Sequence, residues 1–320
     1  MKKILFLLFI LIPDYFYSQE DTITLIFGGD CTLAYHFENF VRDDFKYPFK
    51  NLDILRNADI SMINLENPIS IKGTKIEKEF NFRMHPKYLN TLLDGGIDIV
   101  SLANNHVYDY GEEALFDTMK YLDSCDIKYV GIGKDLTDAR KPVIFTVKNK
   151  NIAFLSYSGS SFAANYKKAG SAPRNKKIIY EDLKKLKGIV DYIIINYHWG
   201  EEKEEYPNEY QKDLAHFTID SGADLVIGHH PHVLQGIERY KNGVIVYSLG
   251  NFIFGGNNRR KYETILFEVK IINSKILYNV IPLIITNWQA LIPDDNQKNI
   301  IINKVKQLSS IFKESIFSKN

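Results

Sequence analysis

Past residue 20 the chain alternates short apolar runs with amphipathic stretches. Residues 22–27, 60–64, 97–102, 128–130, 152–157, 192–197, 224–227, 244–249 and 264–269 read as strands. Most are near-continuous Ile, Val and Leu, the pattern of strands buried on both faces. Residues 111–124, 180–187 and 209–221 carry helical spacing between them. Such alternation predicts an α/β domain with covered sheets. Residues 258–262 form a basic loop, and 299–317 place Ile, Val, Leu and Phe at helical spacing among lysines. A terminal helix of that kind packs on its own core more often than on a membrane. With no internal repeat and no low-complexity linker, residues 20–290 read as one domain, followed by the terminal helix within 291–320.

Residues 1–19 predict an address. Lys2 and Lys3 precede an apolar run from Ile4 to Ile12, and Pro13, Ser18 and Gln19 lead to Glu20 and Asp21. A basic start, a short apolar core and a polar exit describe a secretory signal, and the run is short for a membrane span. Phe16 is bulky where cleavage favours a small residue, so an uncleaved anchor is the alternative. No cysteine ends the apolar core, so no lipoprotein site is expected. The expected location is periplasmic or extracellular.

Composition narrows the chemistry. In 320 residues, 40 Lys+Arg stand against 39 Asp+Glu, with 45% hydrophobic residues. That balance excludes a disordered chain and gives no basic footprint for nucleic acid. The two cysteines, Cys31 and Cys125, support neither a disulfide framework nor a Cys-rich zinc module. Any metal must be held by His, Asp, Glu or Asn. Those residues collect where the strands end: Gly28-Gly29-Asp30, Leu65-Glu66-Asn67-Pro68, Ala103-Asn104-Asn105-His106, His198-Trp199-Gly200 and Gly228-His229-His230-Pro231-His232. Ligands of α/β sheets bind beyond the carboxyl ends of strands, so five polar exits can share one crevice. One Asp or Asn alone is more often a cap or turn residue, and a lone His198 beside Trp199 more often a packed one.

Taken together, Asp30, Glu66, Asn105, His198, His230 and His232 can supply a mixed oxygen and nitrogen shell for one or two divalent ions, manganese, zinc or iron. Pro231 stiffens the loop between two imidazoles, and a carboxylate such as Glu66 can bridge two ions. His106, directly after a candidate ligand, is placed to protonate a leaving group. Arg83 and Asn104 are candidate substrate contacts, Arg83 because a guanidinium suits carboxylates. His229 gains no role, His36 and His216 read as surface or packing residues, and His85 has weaker support for facing the crevice. Cys31 reads as a buried, inert thiol.

These segments, with Phe82-Arg83-Met84-His85-Pro86, Val107-Tyr108-Asp109-Tyr110-Gly111, Gln211 and Tyr247-Ser248-Leu249-Gly250-Asn251-Phe252, resemble the CapA/PgsA family of poly-γ-glutamate capsule-synthesis proteins over roughly residues 22–255. That family is similar to the calcineurin-like metallophosphoesterases. The resemblance implies a four-layer α/β/β/α sandwich, the six metal positions named above, and His106 as the catalytic histidine. Thr32 stands where phosphoesterases place a histidine, and Glu66 where they place a bridging aspartate. An acidic insert at 201–205 and Met84-His85 depart from the capsule family's pattern. The implied function is an exported metal-dependent hydrolase or transferase acting on a γ-glutamyl or related anionic polymer, beside membrane-bound capsule-synthesis subunits. A phosphoesterase acting on a small-molecule substrate, or a non-catalytic polymer-binding accessory protein, are the alternatives.

Overall fold

The computed structural model describes residues 22–159, 161–273 and 275–318. The expected signal segment therefore lies outside the described residues. No helix among them is long and apolar enough to cross a membrane.

Two sheets face each other. In the first, of eight strands, Thr22–Thr32 runs parallel to Ile60–Leu65, and Ile99–Ser101 and Lys128–Val130 follow in the same direction. Its other side is antiparallel, through Lys261–Ile272, Lys275–Thr286 and Gln289–Leu291. The short strand Asn251–Phe254 joins the far end of Thr22–Thr32 in parallel. The second sheet, of six strands, is built on parallel Lys150–Ser158, Tyr192–His198, Leu225–His229 and Gly243–Val246, edged by antiparallel Val143–Val147 and Ile237–Tyr240.

Strand alternation sorts the side chains into layers. Ile23, Leu25 and Phe27 meet Ile152, Phe154, Ile194 and Val244 between the sheets. Ile26 and Ile63 point the other way, onto Leu115, Met119 and Leu122 of the helix Gly111–Ser124. On the far face of the second sheet, Ile193 and Ile195 pack on Ile179 and Leu183 of Lys176–Leu186 and Leu214 of Glu209–Asp220. The result is the four-layer α/β/β/α sandwich. Helix starts are fixed by polar caps: Asn175 accepts from Lys177 N and Ile178 N, and Asn208 with Gln211 forms a reciprocal box. The helix Asp295–Ser309 sends Ile301, Val305 and Leu308 into the layer between the sheets.

Three expectations are corrected. The terminal helix stops at Ser309 rather than continuing to residue 317. Phe312, Ile316 and Phe317 still pack on the cores, but from irregular backbone, which is why their spacing looked helical. The run 244–249 leaves its ladder after Val246, because Leu249 turns back to donate to Gly228 O. The strands at 143–147, 237–240, 275–286 and 289–291 were not expected from apolar runs. Three of them are sheet edges, which alternate or stay short instead of presenting a continuous apolar run.

One backbone approach places the first candidate ligand. Asp30 N donates to Gly250 O at 2.9 Å. A Cβ on Gly29 would collide with that same carbonyl, so only glycine lets Thr22–Thr32 pass close enough to bring Asp30 inward.

Candidate metal centre

The parallel strands of both sheets end at one place. Asp30 lies near the end of Thr22–Thr32, Glu66 directly follows Ile60–Leu65, and His198 closes Tyr192–His198. Asn105 and His106 lie on the loop after Ile99–Ser101, and His230 and His232 on the loop after Leu225–His229. The two sheets are stitched here: His230 N donates to Asp30 Oδ2 at 3.1 Å. His230 (φ 98°) and His232 (φ 58°) both sit in the left-handed region, strained for residues with a Cβ. Lys203 N, donating to Pro231 O at 2.8 Å, braces the loop between them.

Six predicted ligands thus come together, in two overlapping groups. Donor atoms of Asp30, Glu66 and His232 lie within 4.8 Å of one another, and so do those of Glu66, His198 and His230. Glu66 is common to both. Its Oε1 lies 3.5 Å from His198 Nε2 and 3.9 Å from His232 Nε2. Asn105 Oδ1 lies 2.8 Å from His198 Nε2, on the side of the second group.

The donor chemistry fits a cation. Both oxygens of Glu66 are buried, with its side chain 0% exposed, and neither has a hydrogen-bond partner among the described residues. His198 Nδ1 and His230 Nδ1 are likewise buried and unpartnered. Buried polar atoms normally find partners, and so many orphaned acceptors at one point call for a positive charge between them.

Protonation follows the same geometry. Burial pushes Glu66 well above the usual carboxylate range, and the charge of Asp30 adds to it against the pull of His232. Burial would also raise Asp30, but His229 and His232 beside it hold it well below that range. Burial and neighbouring His230 keep His198 neutral, and burial and His232 push His230 down to about 4. Neutral imidazole is the ligand form. His232 differs: burial opposes its charge, but Glu66 and Asp30 outweigh burial and hold it up at about 9. In the metal-free protein at neutral pH, His232 therefore carries a proton that an incoming cation must displace. Divalent-ion affinity is expected to fall about tenfold for each pH unit below 9 per displaced proton. Manganese titrations at pH 6, 7 and 8 measure that slope, and a flat profile would contradict it.

His106 is set beside this group. Its Nε2 faces Glu66 at 3.9 Å, and its Nδ1 lies 2.7 Å from Asp109 Oδ2. Asp109 also accepts from Phe82 N at 2.6 Å and pairs with Lys78, whose Nζ donates to Asn105 O at 2.8 Å. Burial lowers the pKa of His106, with Asp109 opposing. The ring packs against Phe82 at 4.3 Å between centroids.

Two predicted substrate contacts lie elsewhere. Asn104 is fully buried, with Nδ2 donating to Leu65 O at 2.9 Å and Oδ1 accepting from His106 N at 3.1 Å. It shapes the loop. Arg83 lies 4.0 Å over the Tyr110 ring, donates to Lys72 O, and lines a separate cavity of 330 Å³ with His85. Thr32 turns its hydroxyl to accept from Gly256 N at 3.0 Å. Burial pushes the Cys31 thiol up, keeping it protonated. His216 pairs with Glu238 at 2.9 Å, and exposed His36 stacks on Trp288.

Several residues at the site were not singled out from sequence. Asp109 and Lys78 hold His106, and buried His229 lies 3.5 Å from Asp30 through Nδ1. Glu202, from the acidic insert, shares a group with His230 and His232. Asp109 carried a signal, as a carboxylate three residues after His106. Above the centre opens a cavity of 370 Å³ lined by Phe82, His106, Glu202, Lys203, His232 and Arg259, among others.

Residues 24–256 match the family model described as bacterial capsule synthesis protein PGA_cap. The capsule biosynthesis protein CapA of Bacillus anthracis is 31% identical over 83% of this chain and 68% of its own length. The PGA biosynthesis protein CapA of Bacillus subtilis is 31% identical over 78% and 68%. A crystal structure from Staphylococcus aureus, described as a candidate 5'-nucleotidase with alpha-ketoglutarate, superposes with a TM-score of 0.50 at 14% identity. It covers 89% of this chain, which spans only 58% of that protein, and the likeness is one of fold.

Proposed function

Since the chain belongs to the bacterial capsule synthesis protein family PGA_cap, we propose that it is an exported, metal-dependent hydrolase or transferase acting on a γ-glutamyl or related acidic polymer at the cell surface. Its proposed partners are that polymer and membrane-bound subunits of capsule synthesis. The observation that carries the reading is Glu66, a buried carboxylate without a hydrogen-bond donor among the described residues, common to two ligand groups, one of which reaches through His232 a cavity lined by Lys203 and Arg259.

Asp30, Glu66 and His232 would hold one divalent ion, and Glu66, Asn105, His198 and His230 a second. Such ions supply Lewis acidity to the attacked carbonyl and the attacking water. The protein's own part is proton handling and orientation. With Nδ1 donating to Asp109, His106, which lines the cavity, would hold Nε2 as a lone pair on the side of Glu66. As water adds to the carbonyl carbon and the C–N bond breaks, that nitrogen takes up the water's proton and delivers it to the departing amine, and Asp109 stabilises the charged ring in between. Lys78 pairs with Asp109 and fixes it in place. Lys203 and Arg259 give carboxylates of an acidic polymer a charged edge to meet.

The test is the chain length of poly-γ-glutamate incubated with the full chain and manganese, with and without chelator. Shortening that the chelator stops is expected. An intact polymer with turnover of an aryl phosphodiester would replace this reading by a phosphoesterase. An intact polymer bound equally well with chelator, and no phosphodiester turnover, would replace it by a binding role.

A further inference from the structure

We propose that Glu202, carried on the loop after Tyr192–His198, is an additional ligand of the metal centre, beside His230 and His232. The inference rests on the metal-centre reading above and adds a donor to it.

The geometry begins at Gly200. Its φ of +83° turns the chain out of Tyr192–His198, and a side chain there would strike Gln211. The acidic stretch that follows is tied down rather than left to solvent. Lys203 N donates to Pro231 O at 2.8 Å, Gln235 Nε2 donates to Glu204 O at 2.8 Å, and Lys304 pairs with Glu205 at 2.9 Å. These ties follow Glu202 directly in the chain, and the Gly200 turn precedes it. They hold its carboxylate where one oxygen, a His230 nitrogen and a His232 nitrogen lie within 4.8 Å of one another.

The neighbouring donors give that placement a use. Divalent ions take four to six ligands. Asp30, Glu66 and His232 provide three, and the Thr32 hydroxyl is spent on Gly256 N. Glu202 meets one imidazole of each position, His230 and His232, from the cavity side. The Asp30 position has Asp30, Glu66 and one imidazole, a set suited to manganese. The other position has Glu66, Asn105 and two imidazoles, a set richer in nitrogen and suited to zinc or iron. Glu202 is exposed while Asp30 and Glu66 are buried, so it is the ligand that can be removed without disturbing the fold.

The experiment is a calorimetric titration of manganese into the metal-free full chain at pH 8, comparing wild type, Glu202→Gln, Glu202→Asp and Glu201→Gln. Two binding events are expected in wild type. Glu202→Gln should weaken at least one of them tenfold or more. Glu202→Asp should lose less, and Glu201→Gln, an exposed neighbour in no ligand group, should match wild type. Equal affinities for both ions in Glu202→Gln would overturn the inference while leaving the metal centre standing. A wild type that takes up no manganese would overturn the centre, and this inference with it. Unchanged thermal melts of the metal-free variants show that the comparison is between folded proteins.

Discussion

Glu66→Gln is expected to empty both metal positions at once while leaving the metal-free protein at least as stable as wild type. The first half follows from sharing: Glu66 is common to the Asp30 and His198 groups. Affinity at both positions should fall by more than about a hundredfold, beyond the 10–100-fold typical of losing an outer-shell partner. The second half follows from burial. A carboxylate with no exposure and no donor costs several kcal/mol when charged, and burial already drives it toward the neutral form. Glutamine keeps the shape without the charge. Calorimetry with manganese reads the first effect, and thermal melts with and without metal read the second. A variant that kept one ion at wild-type affinity would show that the groups do not share this residue.

His106→Ala is expected to lower turnover by about 10²–10⁴-fold, the usual contribution of a positioned acid–base group, with metal content unchanged. The ring touches the centre only at 3.9 Å from Glu66 and is held instead by Asp109 and Phe82. Removing it should therefore spare the ligands. Asp109→Asn should produce a smaller loss and shift the pH profile, since the amide cannot stabilise a charged imidazole as the carboxylate does. Steady-state kinetics with metal analysis on the same preparations separate the two roles. Wild-type turnover in His106→Ala would remove the histidine from the reaction.

Much of this arrangement was legible in the chain because the chemistry sits at the ends of buried strands. Those strands announce themselves as continuous apolar runs, and the polar residue after each run is placed by the sheet, not by local preference. Asp30, Glu66, Asn105, His198, His230 and His232 stand out that way, and the fold brings them together. The edge strands were harder, since Val143–Val147 alternates between half-buried and exposed positions. Loop residues were hardest. Lys78 reaches His106 from a loop whose course depends on Asp109 and Asn81, and Glu202 is aimed by a backbone bond to Pro231. Neither spacing nor residue type encodes such contacts. Arg83 shows the converse: a guanidinium was assigned to carboxylates by its chemistry, and the fold lays it on Tyr110 over a different cavity.

The central claim is a centre of two divalent ions joined by Glu66. The most direct measurement is the number of ions bound per chain, by mass spectrometric metal analysis after saturation and desalting of the full chain at pH 8. Two equivalents are expected in wild type and none in Glu66→Gln. A wild type that retains no divalent ion, or a Glu66→Gln variant that retains both, would contradict it.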